Sequence, residues 1–374
     1  MTRLGQRTSS GWVIGHIRGV PVVFAPSWFL MAAVLGIIVA PTITRVVPDV
    51  SATATVLAAA SVPVTLMVGV LAHEVAHGLA GHAVGSPPRE YVLTLWGGHT
   101  QFANDMRTPG ASAFVSVVGP LANAVLAGLA WWALGLAGTP LSAVLWQIAA
   151  LSNAVVAVFN LLPGYPLDGG RILEAAVWRA TGDRLAGLNV AGWGGRVVAV
   201  GVAVVGLGRP LALGLRPTMF TVLWVGLLSF YLWTGSSQAV NVARARRSAA
   251  GLDLRTVAEP AVALPAGAPV ATADGVPGRR VVLLDEGGRV AGLVDPSVLA
   301  QVPPPARTTT PLSAVASVLP PTSVVTQLSG SAGVAAAAQA ARTSPVVVLV
   351  DGPAGVVGVL TVDRLEQALR RSRR

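Results

Sequence analysis

Residues His73-Glu74-Val75-Ala76-His77 place two imidazoles four positions apart, with a carboxylate directly after the first. On a helix this spacing puts both rings on one face, one turn apart, so that two ring nitrogens can grip a single cation. Glu74 then flanks the cation instead of occupying it, which is the place for a general base acting on a metal-activated water. Buried polar residues that tie helices together can carry the same five-residue pattern. The surroundings shift the balance, because the pattern lies inside an apolar run where each ionisable side chain costs about 2.5–3.5 kcal/mol to insert. A divalent cation offsets that cost. The chain contains no cysteine, so the ligands must be His or carboxylate, and a His/His/carboxylate set suits zinc.

The candidate for the third ligand is Asp168, in Asn160-Leu-Leu-Pro163-Gly-Tyr-Pro166-Leu-Asp168-Gly169-Gly170-Arg171. Pro163 and Pro166 cannot continue a helix, and Gly169-Gly170 permit unusual dihedrals, so the segment is expected to unwind and aim the carboxylate into the bundle. The competing reading is a turn in which Asp168 simply starts the next helix. His82 lies five positions past His77 and faces another way around a helix of 3.6 residues per turn. His99 and Asp105 follow in a hairpin-like segment and suit solvation and hydrogen bonding. Asn123 and Asn160 are polar groups inside or at the end of apolar runs, suited equally to interhelical hydrogen bonds and to contact with ligands or substrate.

These residues must be held by a membrane. Six apolar runs, 27–43, 56–81, 111–136, 141–162, 192–207 and 218–233, are long enough to cross ~30 Å of hydrocarbon. The first begins after a polar arm and lacks a small-x-small cleavage site, so it is expected to remain as a span. The net charge of +10 is carried by arginines scattered at the ends of runs, not by one basic stripe, which argues against direct nucleic-acid binding. Arg3, Arg7, Arg18, Arg89, Arg107, Arg171, Arg179, Arg184, Arg244, Arg246 and Arg247 fall on one side, against Arg45, Arg209 and Arg216 on the other. The positive-inside rule therefore places both termini in the cytoplasm. Between the second and third runs, residues 90–102 alternate around Gly97-Gly98, as a hairpin or re-entrant loop would, and such backbone needs a protein-lined cavity at membrane depth.

Past residue 235 the character changes to short strand-like segments joined by proline-rich connectors. Val281-Val-Leu-Leu-Asp285 with Gly292-Leu-Val-Asp295 returns as Val346-Val-Val-Leu-Val-Asp351 with Gly358-Val-Leu-Thr361. Each copy reads as strand, turn, strand and short helix, and two copies can bury their sheets against each other. The expected domains are 1–235 in the membrane, a linker at 236–255, and a repeat domain at 256–374.

His73-Glu74-x-x-His77, Gly119-Pro120-x-x-Asn123 and Asn160-x-x-Pro163-x-x-Pro166-Leu-Asp168-Gly169, in that order, resemble the site-2 protease family of intramembrane zinc metalloproteases. The resemblance spans roughly residues 12–233. It implies that His73, His77 and Asp168 hold zinc and that Glu74 is the catalytic acid/base. It also implies that Asn123, Asn160 and Pro166 lie beside the ligands or the substrate, and that the site opens to the cytoplasm. A membrane-embedded hairpin at 90–102 would receive an unwound substrate as an extended strand. No PDZ domain fits between Phe102 and Asn160. The tail resembles a pair of cystathionine-β-synthase (CBS) domains, as in the branch similar to sporulation sigma-factor processing proteases. That family's Gly-x-x-Thr/Ser-x-x-Asp signature would assign Thr361 and Asp363 to ATP or another adenine nucleotide. The match falters, since Arg364 stands at the Asp position with Asp363 one residue early, and the first copy has Asp295 and Val298.

The reading is thus an α-helical polytopic membrane protein of six transmembrane helices with a re-entrant β-hairpin, plus a C-terminal α/β tandem CBS domain. It is expected to hydrolyse peptide bonds of membrane proteins, such as an anti-sigma factor, a membrane-tethered transcription factor precursor or a remnant signal peptide. Its tail would mediate nucleotide regulation or homo-oligomerisation. The alternatives are a transporter or metal-handling protein, which should show more polar residues along other spans, and an inactive scaffold, which should lack a ligand or the base.

Overall fold

The computed structural model describes residues 11–94, 97–352 and 355–371. Arg3, Arg7, Leu95 and Trp96, which enter the topology and hairpin expectations, lie outside the described residues. The chain divides into two compact units, Met1–Asn241 and Val242–Arg374.

The first unit opens with strands where the sequence reading placed only a polar arm. β1 (Trp12–Ile17) turns through Arg18 (φ 51) and Gly19 (φ 83) into β2 (Val20–Phe24). Two successive positive φ values make the primed turn whose twist matches the flanking strands. After α1 (Ser27–Val46) and α2 (Ala52–Ala83), β3 (Pro88–Thr94) pairs in parallel with β2 and antiparallel with β4 (Gly97–Phe102). The expected hairpin is therefore half of a four-stranded sheet, ordered β1-β2-β3-β4, with β4 at its edge. Val22, Val23, Tyr91, Val92 and Leu93 are buried in it.

α3 (Pro109–Leu134) and α4 (Pro140–Asn160) start on Thr108 and Thr139, whose hydroxyls cap the first turn, each with proline at the first helical position. α5 (Asp168–Thr181) stops at Gly182 in the left-handed conformation. α6 (Arg184–Ala203) continues through a π-helical turn at Val204–Gly208 into α7 (Arg209–Ala212). α8 (Met219–Ala250) follows. Among the described residues, six helices are long and apolar enough to cross a membrane, counting 184–212 as one.

Two expectations need correction here. The fifth span begins at Arg184 and not at residue 192, because Asp183 caps the helix there. The 236–255 segment, expected as a linker, contains the division between the two units and is helical as far as Ala250. The spans also carry one charge the reading passed over: Arg196, whose guanidinium lies 4.4 Å from the Trp193 ring centroid and 5.3 Å from that of Trp233 and donates to Ser237 Oγ.

In the second unit, β5 (Glu259–Pro265), β6 (Arg280–Leu284), β7 (Val290–Val294), β8 (Ala316–Val318), β9 (Val324–Val325), β10 (Val346–Asp351) and β11 (Gly355–Thr361) form one sheet, ordered β8-β7-β6-β5-β11-β10-β9. Each repeat is a hairpin followed by a short helix, α9 (Pro296–Ala300) or α11 (Val362–Arg371), with α10 (Gly330–Ala340) preceding the second. The copies are not two separate sheets. β5 joins them edge to edge, and Ala261, Val282, Leu293, Val348 and Val359 form a core common to both.

Candidate active site

His73 and His77 lie on α2, which at ~1.5 Å per residue over 32 residues is about 48 Å long. Both are buried, as is Glu74 between them. Residues 161–167 leave helical form after α4, and Asp168 begins α5. The two readings of this segment are thus both realised: the chain unwinds and Asp168 starts the next helix, with its carboxylate turned onto the imidazoles.

Asp168 Oδ2 lies 3.0 Å from His73 Nε2 and 3.2 Å from His77 Nε2, and the two Nε2 atoms are 3.0 Å apart. Four ligands placed tetrahedrally at ~2.0–2.1 Å from zinc would stand about 3.3 Å from one another, close to this triangle. The far side of each ring fixes its tautomer. Asn123 donates its amide to Gly69 O (3.2 Å) and Asn153 Oδ1 (2.9 Å), so its Oδ1 faces His73 Nδ1 at 2.5 Å. Val115 O sits 2.6 Å from His77 Nδ1. Both Nδ1 atoms must therefore carry the proton, and both Nε2 atoms present lone pairs. Two lone pairs and a carboxylate oxygen converging on one point repel each other unless a cation lies among them, so the donor set fits zinc. Gly119 leaves the room: a Cβ there would stand 2.3 Å from His77 Nε2 and 2.7 Å from His73 Nε2.

The residue that sequence reasoning missed in this set is Asn153, which orients the Asn123 amide and donates to Ala149 O at 2.9 Å. The available signal was an asparagine in the middle of an apolar run, the same signal that singled out Asn123. Missed too was the support of the Asp168 segment. Ser236 Oγ donates to Tyr165 O at 2.6 Å, the Tyr165 hydroxyl donates to Glu174, and Arg184 binds both Glu174 (2.9 Å) and Asp105 (3.3 Å). Glu174 is 3% exposed, a charge retained in the interior because it is paired twice.

A cavity of about 470 Å3 opens beside the triangle, walled by Trp28, Met67, Thr100, Phe159 and Tyr231 among others. Asn160 and Pro166 line it, unlike Asn123, which backs His73. His99 lines it as well but stands apart from the triangle of His73, His77 and Asp168, while the exposed His82 and the Arg184-paired Asp105 belong to neither. Thr100 Oγ1 on β4 lies 2.7 Å from Glu74 Oε2. In the second unit, Thr361 Oγ1 accepts from Arg364 N (3.4 Å) at the start of α11, and Asp363 lies in the first turn of that helix.

The profile described as peptidase family M50 matches residues 136–197, the stretch that contains Asp168. Rip3 of Mycobacterium tuberculosis, provisionally named a zinc metalloprotease, is 31% identical over 269 residues, 68% of this chain and 66% of Rip3. The chain carries a peptidase family M50 (site-2 protease) domain. A second relative, sll0528 of Synechocystis, bears the same provisional name and is 29% identical over 53% of each chain. The solved site-2 protease of Methanocaldococcus jannaschii shares 21% identity, covering 61% of this chain and 94% of its own, at a TM-score of 0.42. The M50 profile ends before α8, which contributes Tyr231 to the cavity and Ser236 to the Asp168 segment.

Proposed function

We propose that this chain is an intramembrane zinc metalloprotease that hydrolyses peptide bonds of membrane-spanning or membrane-associated proteins. The observation that carries the reading is the convergence of His73 Nε2, His77 Nε2 and Asp168 Oδ2, with both Nδ1 atoms committed as donors elsewhere. Bound zinc would supply Lewis acidity and bring the pKa of a water toward ~7. Glu74 then accepts a proton from the attacking water and returns it to the departing amide nitrogen. Asn123 and Val115 keep the imidazoles in the coordinating tautomer throughout.

The substrate must present an extended backbone, since a helical peptide bond has its carbonyl already hydrogen-bonded. β4 is an edge strand whose residues line the cavity, so a substrate segment can add to it as a fifth strand. An anti-sigma factor, a membrane-tethered transcription factor precursor or a remnant signal peptide each supplies such a segment once unwound. The arginine distribution supports cytoplasmic termini and cytoplasmic access to the site. The second unit supports a tandem CBS reading through its duplicated hairpin and helix. Regulation by an adenine nucleotide near Thr361 and Asp363, and self-association, are the roles proposed for it.

The test uses the full chain purified in detergent, with elemental analysis and cleavage of fluorescein-labelled casein. Glu74→Gln should retain one zinc per chain and lose cleavage, whereas Asp168→Ala should lose the zinc. A Glu74→Gln enzyme that still cuts casein removes Glu74 from the chemistry. An Asp168→Ala protein with full zinc removes the metal site.

A further inference from the structure

Glu74 is 5% exposed, and a carboxylate so enclosed needs hydrogen-bond donors to stay in one position. Among the described residues one hydroxyl supplies a donor, and it comes from another element that lines the cavity, β4. Thr100 Oγ1 stands 2.7 Å from Glu74 Oε2 and 3.0 Å from Glu74 O. It has a single hydrogen, and the carboxylate is the stronger acceptor, so the bond goes to Oε2. The same strand touches the side chain a second time. A Cβ on Gly98 would fall 2.6 Å from Glu74 Cγ and 2.7 Å from Oε1, so bare backbone lies against the carboxylate there. Residues 98 and 100 share one face of β4 by the two-residue period of a strand.

We infer that Thr100 is a positioning residue for the proposed reaction: from the edge strand β4 its hydroxyl holds the Glu74 carboxylate, so the strand that receives substrate also places the base. This rests on the reading of Glu74 as the base. It adds a role for the hairpin beyond that of a wall. β4 ends the order β1-β2-β3-β4, so a substrate strand pairing with its free edge shares a backbone register with Thr100. Ordering β4 by pairing therefore also orders the base, and an unpaired β4 leaves Glu74 held by a less restrained strand.

Full-length Thr100→Val, Thr100→Ser and Glu74→Gln are compared with the wild type for zinc per chain, and for kcat and KM on fluorescein-labelled casein. Valine keeps the shape and removes the hydroxyl. Thr100→Val should lower kcat by about tenfold or more, with KM within about twofold and zinc unchanged, because the loss lies in the proton-transfer step. Thr100→Ser restores the hydroxyl and should return kcat to within about threefold of wild type. Wild-type kcat in Thr100→Val overturns the inference, as does equal impairment of the valine and serine variants. A loss confined to zinc content or to KM also overturns it, since Thr100 would then only shape the site. If Glu74→Gln is inactive while Thr100→Val is fully active, the positioning role alone fails; if Glu74→Gln still cleaves, the assignment of the base fails and takes the inference with it.

Discussion

Residues 11–241 turn large apolar side chains outward, with Ile37 73% and Val197 70% exposed, and enclose His73, Glu74, Asn123 and Glu174, whereas residues 242–371 enclose Val282, Leu349 and Leu360 and expose charges such as Arg289. In the first unit, surrounding hydrocarbon is as apolar as the interior, so burying a leucine there gains little and hydrogen bonds, small residues and close packing decide how helices meet. In the second unit, water penalises exposed apolar area at roughly 25 cal/mol per Å2, and the core itself drives assembly. One unit is therefore most sensitive at its polar interior and the other at its apolar interior.

Gly119→Ala should strike hardest. Its methyl would enter the proposed zinc site 2.3 Å from His77 Nε2, so zinc content should fall to background while the second unit stays folded. Elemental analysis together with hydrogen exchange over residues 242–371 reads both halves of that statement. Leu349→Ala inverts the pattern. Leu349 is 0% exposed, so exchange protection in the second unit should drop by about 2–5 kcal/mol, with zinc per chain unchanged. A loss of zinc in Leu349→Ala would show that the two interiors are not independent.

Asn123→Ala removes the acceptor opposite His73 Nδ1 and should weaken zinc about 10–100-fold in a competition titration against a chelator. An unchanged affinity would place Asn123 among ordinary helix-to-helix contacts. The smallest effect belongs to the exposed turn at Asp285, where the backbone N–H of Arg289 is the main reason that carboxyl lies below the usual range. A depressed carboxyl stabilises the fold above its unfolded value, and that contribution is lost as pH falls through the lower folded value. Arg289→Ala keeps the backbone donor, so carbon-detected NMR titration of Asp285 should show most of the depression retained.

The two units were also unequally legible. α2, α3 and α4 follow from apolar runs, and His73, Glu74 and His77 follow from spacing on one helix. Asp168 could be chosen because two prolines and two glycines mark where a helix must break. β1 and β2 were passed over although Arg18-Gly19 sits between apolar segments, because strands that short carry little periodicity of their own. Thr100 and Glu174 gave no signal, since a threonine in a strand and a glutamate on an amphipathic helix are ordinary. In the second unit the duplicated hairpins were visible as a repeat, but β5 between them was not, because a strand that joins two copies belongs to neither.

What residue order settles by itself is local: which segments can cross a membrane, which face of α2 carries two imidazoles, where the chain after α4 must leave helical form, and that the tail is duplicated. Folding settles the rest by bringing Asp168 to residues ninety positions away, turning Asn123 by way of Asn153, and laying β4 against Glu74. The division has a physical origin. Hydropathy and backbone propensity act over a few residues, whereas the protonated nitrogen of an imidazole and the placement of a carboxylate depend on partners that only packing brings within hydrogen-bond reach.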